Sequence, residues 1–213
     1  MIALVLDASS ALGTIAVLRD NVVVATADVE MRGTNREGLL PALQLSLRRG
    51  GVRLADVSDV ICGEGPGSFT SLRVAAGLAK GIAVGRGLPL HAISSLALVL
   101  GAVARPDGRY LVVADAQRKE YFAEPYEILD REVRCLSPFR VTTERQAADW
   151  AQELNASMIG PAHEGSIARA AAAARFDVDR GLFRRVDISS WEPAYGRLAA
   201  AQSQAVGPGS HSC

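Results

Sequence analysis

Over the first thirty residues, apolar positions fall in short runs separated by polar or glycine-containing breaks. Residues 2–8, 14–19 and 22–29 are rich in aliphatic and β-branched side chains, a pattern that predicts three strands joined as an antiparallel meander. The period then changes. Leu39, Leu43 and Leu47 recur at i, i+4 and i+8 with Leu40 on the same side, which predicts a helix capped by Asn35 and stopped by Gly50-Gly51. Residues 57–62 read as a buried strand, about 70–85 as a second helix, 88–93 as a strand and 95–103 as a third helix. The order β-β-β-α-β-α-β-α predicts a mixed sheet with helices on its faces.

The best linker is Arg105-Pro106-Asp107-Gly108, which divides the chain into residues 1–104 and a second unit, 105–213, whose folded lobe is expected to be the smaller once its tail is set aside. The pattern then restarts: Tyr110-Leu111-Val112-Val113-Ala114-Asp115-Ala116 echoes Ala3-Leu4-Val5-Leu6-Asp7-Ala8, each an apolar strand ending in Asp-Ala. Further strands are expected over 121–128, 133–135 and 157–159, with helices over 144–154 and, from its alanine run, 166–174. Gly207-Pro208-Gly209-Ser210 opens a tail expected to fray. The repeat and the element order together favour two similar α/β lobes.

Gly65-Pro66-Gly67-Ser68-Phe69-Thr70-Ser71-Leu72-Arg73 is the most informative stretch, because a strand feeds a glycine-rich turn that opens a helix. Such a turn aims backbone N–H groups and a positive helix end at one spot, suited to an anion such as phosphate. The same residues also suit a tight turn with a hydroxyl cap, and the physics leaves both readings open. Within the second helix, Gly77, Gly81 and Gly85 fall on one line. Each interior glycine costs about 1 kcal/mol relative to alanine. Gly85 has a ready reason as a C-cap; Gly77 and Gly81 call for the close approach of another backbone, either the chain's own sheet or a partner's helix.

Composition narrows the function. Lys+Arg and Asp+Glu both number 23 in 213 residues. The first 104 residues carry nine basic and eight acidic side chains, the remainder fourteen and fifteen, so neither unit has a dominant basic face for nucleic acid. Arg48, Arg49 and Arg53, and Arg180, Arg184 and Arg185, are local clusters within that balance. The three cysteines and three histidines are scattered without metal-ligand spacing, which predicts no metal site and a reducing, cytoplasmic setting. The opening apolar run is too short for a signal peptide or a membrane span. An aromatic content of 5% offers no base-stacking platform.

As a literal string, residues 65–73 resemble the G-P-G-S-F-T-G-L/V-R signature of the TsaB (YeaZ) family, a branch of the actin-like ATPase superfamily. The resemblance extends through Leu39-Leu40-Pro41, Gly77-Leu78-Ala79-Lys80-Gly81, Leu88-Pro89-Leu90, Ile93-Ser94-Ser95-Leu96 and Asp115-Ala116, with Glu192-Pro193-Ala194-Tyr195-Gly196-Arg197 similar to the family's closing segment. It implies a two-lobed actin-like ATPase fold (ASKHA, RNase H-like) with mixed sheets flanked by helices. There are departures. Asp7-Ala8-Ser9-Ser10 stands where Asp-Thr-Ser is usual, Ser71 where glycine is usual, and Asn35-Arg36-Glu37 where the catalytic paralogue carries paired metal-binding histidines.

The resemblance therefore implies a non-catalytic partner in adding threonylcarbamoyl to adenosine 37 of tRNA, with a degenerate phosphate loop at Asp7, Ser9, Ser10, Gly65, Gly67, Ser68 and Thr70. It implies a partner surface on the first two helices, comprising Leu39, Leu40, Leu43, Leu47, Arg73, Gly77, Lys80 and Gly81. Implied partners are a TsaD-like catalytic transferase, a TsaE-like ATPase, a second copy when alone, and tRNA mainly through the complex. No cofactor is implied, with nucleotide at a subunit interface left open. The rival is a small ATP-dependent phosphotransferase using Asp7, Ser9 and the 65–70 turn; a protease would need a base for Ser68, and no histidine lies near it in sequence.

Overall fold

In the computed structural model, which describes residues 1–31, 38–102, 105–160, 167–176 and 181–196, the first three runs form the expected meander. These strands are β1 (Ile2–Asp7), β2 (Leu12–Arg19) and β3 (Val22–Glu30). After them come α1 (Leu39–Arg49), β4 (Asp59–Gly63), α2 (Phe69–Arg86), β5 (Leu90–Ile93) and α3 (Ser95–Gly101). The second unit contributes β6 (Gly108–Asp115), β7 (Glu120–Leu129), β8 (Glu132–Cys135), β9 (Arg140–Thr143), α4 (Glu144–Glu153), β10 (Ser157–Ile159) and β11 (Arg184–Arg185).

The first sheet runs β11-β5-β4-β1-β2-β3, with β1, β4 and β5 parallel and the outer pairs antiparallel. β1 sits in its middle and is apolar on both faces, as a strand covered on both sides must be. Leu4 and Leu6 point to the layer made by α1 and α2, together with Leu39, Leu43, Ala75 and Ala79. Ala3 and Val5 point the other way, to α3 and to Tyr110, Phe122 and Tyr126 of the second unit. The second sheet runs β10-β6-β7-β8, with β9 also pairing β7. This is the mixed α/β, two-sheet architecture expected of an actin-like ATPase fold. None of the described helices is long and apolar enough to cross a membrane.

Several expectations need correction. The second helix does not end at Gly85; it runs on to Arg86, and Gly87 is its C-cap in the left-handed region at φ 63°. The alanine run is not an α-helix over 166–174. Among the described residues of this run only Ala170–Arg175 is helical, as a 3-10 segment with Ala170, Ala172 and Ala173 pressed into the core. Its first amide donates to Thr14 Oγ at 2.9 Å. β9 and β11 arise where no periodicity announced a strand. The division at residue 104 separates the two sheets' main strands but not the chain's packing, since β11 returns to pair β5 and the 3-10 segment lies on β2 and α3. The expected cap Asn35 and the tail from Gly207 lie outside the described residues.

Candidate functional site

Asp7, Ser9, Gly65, Gly67 and Ser68 of the expected phosphate loop are drawn together where β1 and β4 end and α3 begins, at one end of the first sheet. Asp7, the last residue of β1, is fully buried. Its Oδ1 accepts from the Ser9 amide (3.0 Å) and hydroxyl (2.8 Å), and its Oδ2 accepts from Ser95 Oγ at 2.5 Å. Ser95 Oγ in turn accepts from the Gly65 amide at 3.0 Å. Burial raises the Asp7 carboxyl above the usual carboxylate range, with the hydrogen bonds from Ser95 and Ser9 opposing it.

The turn itself is clamped from two sides. Gly65 has φ 97°, open to glycine, and a Cβ there would stand 2.5 Å from the Ala194 carbonyl oxygen. A Cβ on Gly67 would fall inside contact distance of the Ser9 backbone. The Ser68 amide donates to the Ser9 carbonyl at 2.8 Å, so this donor and that of Gly65 are used within the chain. Ser68 takes the N-cap position of α2, yet its hydroxyl donates to Ser71 Oγ at 3.0 Å rather than accepting from a backbone amide. Ser71, placed where the family's glycine is usual, is thereby a buried, partnered hydroxyl. Ser10 turns away to bond the backbone of Leu12, and Thr70 is exposed. Asp115, the second unit's counterpart of Asp7, is exposed and accepts from the Gln117 amide at 2.7 Å, closing the β6–β7 hairpin.

Of the residues expected on a partner surface, three serve the interior. Leu39, Leu43 and Leu47 are buried, because α1 lies flat on β2 and β3 and its i, i+4 line is the one that faces inward. Leu40 is 48% exposed. Gly77 and Gly81 are exposed, and a Cβ at either would meet nothing within 4 Å, as is also true of Gly85. The chain's own sheet is therefore not what the glycine line accommodates. Arg73 and Lys80 flank this line and hold the segment 191–196. The Arg73 guanidinium lies 4.3 Å from the Phe69 ring centroid and donates to the Tyr195 hydroxyl at 3.3 Å, while Lys80 Nζ is 3.7 Å from Glu192.

Sequence reasoning missed Ser95, whose only signal was its place in the string 93–96, and a buried cluster between the two sheets. There Ser94 Oγ donates to Glu124 Oε2 at 2.5 Å and the Tyr126 hydroxyl donates to the same oxygen. Burial raises the Glu124 carboxyl above the glutamate range. A carboxyl whose folded value is raised contributes stability below its unfolded value and loses it as pH rises through the folded one. Glu124→Gln should therefore lose less stability than the wild type between pH 5 and pH 8. Denaturant titrations at the two pH values measure this, and parallel losses would refute it.

Comparison with known proteins identifies relatives of the chain by sequence and by fold. Residues 34–180, more than half of the chain, match the family model described as TsaD, tRNA N6-adenosine threonylcarbamoyltransferase. The tRNA threonylcarbamoyladenosine biosynthesis protein TsaB of Escherichia coli (strain K12) is 31% identical over 126 residues, 58% of this chain and 54% of that protein. TsaB of Bacillus subtilis (strain 168) is 28% identical over 127 residues, 60% of this chain and 56% of its own. The chain thus spans about half the length of the curated relatives it matches. The solved structure of YeaZ from Pseudomonas aeruginosa superposes with a TM-score of 0.74 at 22% identity, covering 91% of this chain and 99% of that one, a likeness of fold.

Proposed function

The chain belongs to the TsaD family, tRNA N6-adenosine threonylcarbamoyltransferase, and from that premise we propose that it acts in tRNA threonylcarbamoyladenosine formation as a non-catalytic, TsaB-type subunit. Its task is to bind and support the catalytic transferase, with a TsaE-like ATPase docking on the pair and a homodimer forming when the partner is absent. tRNA is engaged mainly through the complex, in the cytoplasm.

The observation that carries this reading is the outward glycine row of α2. Three glycines on one helical line stand in open space, in a helix whose inner alanines are packed tightly. Glycine weakens a helix, so an exposed row is explained by a backbone that comes close from outside. The sequence supports the non-catalytic half of the reading, since no H-x-x-x-H pair occurs in it. Asp7, on which a phosphotransferase would depend, is enclosed by Ser9 and Ser95.

The test is reconstitution. With the threonylcarbamoyl-adenylate donor and tRNA supplied, the purified chain alone should modify no tRNA and turn over no ATP, and adding the transferase should restore modification. Steady ATP turnover by the chain alone, abolished by Asp7→Ala, would overturn the reading in favour of a phosphotransferase.

A further inference from the structure

The fold gathers five arginines at the end of the first sheet opposite the Gly65 turn. Arg48 and Arg49 close α1, Arg86 closes α2, Arg19 closes β2, and Arg53 lies in the turn that follows α1; all five are exposed. Strand pairing and hydrogen bonds hold these pieces side by side. Arg19 pairs with Ile2, the Ile2 carbonyl accepts from the Ser58 amide at 2.9 Å, and Arg86 Nη2 donates to the Ala55 carbonyl at 2.8 Å.

The acidic groups at this pole are already engaged. Asp20 takes the N-terminal amine at 2.7 Å, Asp56 takes Arg53 at 2.6 Å, and Asp59 faces His91 at 3.5 Å. Arg19, Arg48 and Arg49 make no ion pair with any described residue, and Arg86 bonds only a carbonyl. Arginines in the last turn of a helix complement its dipole, which accounts for Arg48, Arg49 and Arg86 one helix at a time. It does not account for Arg19 on a strand end, nor for the convergence of both helix ends with it. In a chain with equal numbers of basic and acidic residues, this pole is a local excess of positive charge.

We propose that this arginine pole is a direct contact for tRNA phosphates. The inference rests on the assignment of the chain to tRNA modification, and on α1 and α2 being the partner-facing layer, since Arg48, Arg49 and Arg86 stand at the ends of those helices. An RNA held by the partner would run on across them. Phosphate is the chemistry that fits: exposed guanidinium forks from several elements, those of Arg19, Arg48 and Arg49 without an ion pair among the described residues, spread over one surface.

The experiment replaces the three arginines that have no ion pair, Arg19→Gln, Arg48→Gln and Arg49→Gln together, and titrates unfractionated tRNA over a salt series. It is run on the full chain alone and on the chain with the transferase. Every phosphate left without its arginine takes about 0.7–0.9 from the slope of log affinity against log salt, so the slope should become shallower by roughly 2 to 3, with at least about tenfold weaker binding at low salt. Pairing with the transferase should be unchanged. Unaltered tRNA binding overturns the proposal. So does loss of pairing, which would make the pole a protein contact, and so does binding of poly-glutamate as tight as that of tRNA. If the wild-type chain fails to pair at all, the functional assignment falls, while the slope of the isolated chain still decides the phosphate contact.

Discussion

Gly81→Leu should leave the isolated chain folded, and slightly more stable, while abolishing its pairing with the catalytic transferase. The two halves of this result come from different physics. A Cβ at Gly81 meets nothing within 4 Å, so a side chain there leaves the helix into open space. Removing a glycine from an exposed helical position then contributes up to about 1 kcal/mol. At a surface where a second backbone comes close, the same side chain holds the two apart by the thickness of a leucine. A defect at the centre of an interface costs about 2 kcal/mol or more, so pairing should weaken by at least about thirtyfold. Thermal melts followed by circular dichroism read the first half, and analytical ultracentrifugation of the mixture reads the second. An unfolded variant, or one that pairs as before, would remove α2 from the interface.

Gly67→Ala has the opposite character, a single methyl with nowhere to go. It would land on the Ser9 backbone, whose carbonyl is fixed by the Ser68 amide at 2.8 Å and whose amide is fixed by Asp7 at 3.0 Å. Neither segment can retreat without breaking those bonds. Overpacking of a tight site costs roughly 1–3 kcal/mol and occasionally more, and the upper end, about 3 kcal/mol, is expected here because the obstacle is backbone rather than a flexible side chain. For a domain of this size that lowers Tm by roughly 6–12 °C. Calorimetry of the purified variant measures it, and an unchanged Tm would mean that the two turns are not packed as described.

The contrast between these glycines explains what the sequence could and could not convey. Periodicity located β1 to β3, α1, α2 and α4 to within a few residues, because each presents a regular apolar line to a sheet or helix. It gave no hint of β11, whose two exposed arginines are held in the sheet by the neighbouring β5 backbone and by the ion pair of Arg184 with Glu64 at 2.7 Å. The line of Leu39, Leu43 and Leu47 marked a helix correctly, yet a repeat of leucines does not say which surface it faces; packing on β2 and β3 decided that. In the same way, Gly65 and Gly67 read alike with Gly77 and Gly81 as letters. Only the three-dimensional surroundings distinguish a glycine that admits the chain's own backbone from one that faces outward. Ser95 and Glu124 were illegible for a related reason. Each acts on a residue 88 or 30 positions away, and no local pattern encodes such a pairing.

The return of the chain's later residues to its first sheet also sets an order of events during synthesis. The outer edge of β5 is paired by β11, and the Gly65 turn is covered by Ala194, so residues 1–104 leave the ribosome with one sheet edge open and their glycine turn bare. At roughly 5–20 residues per second, the segment that closes both follows about ten seconds later. Through that interval the nascent first lobe carries an unpaired β5 edge, the kind of feature that chaperones meet and that neighbouring nascent chains can mispair with. Translation speed across the second half of the message, rather than any property of the finished fold, then governs how long the first half stays exposed.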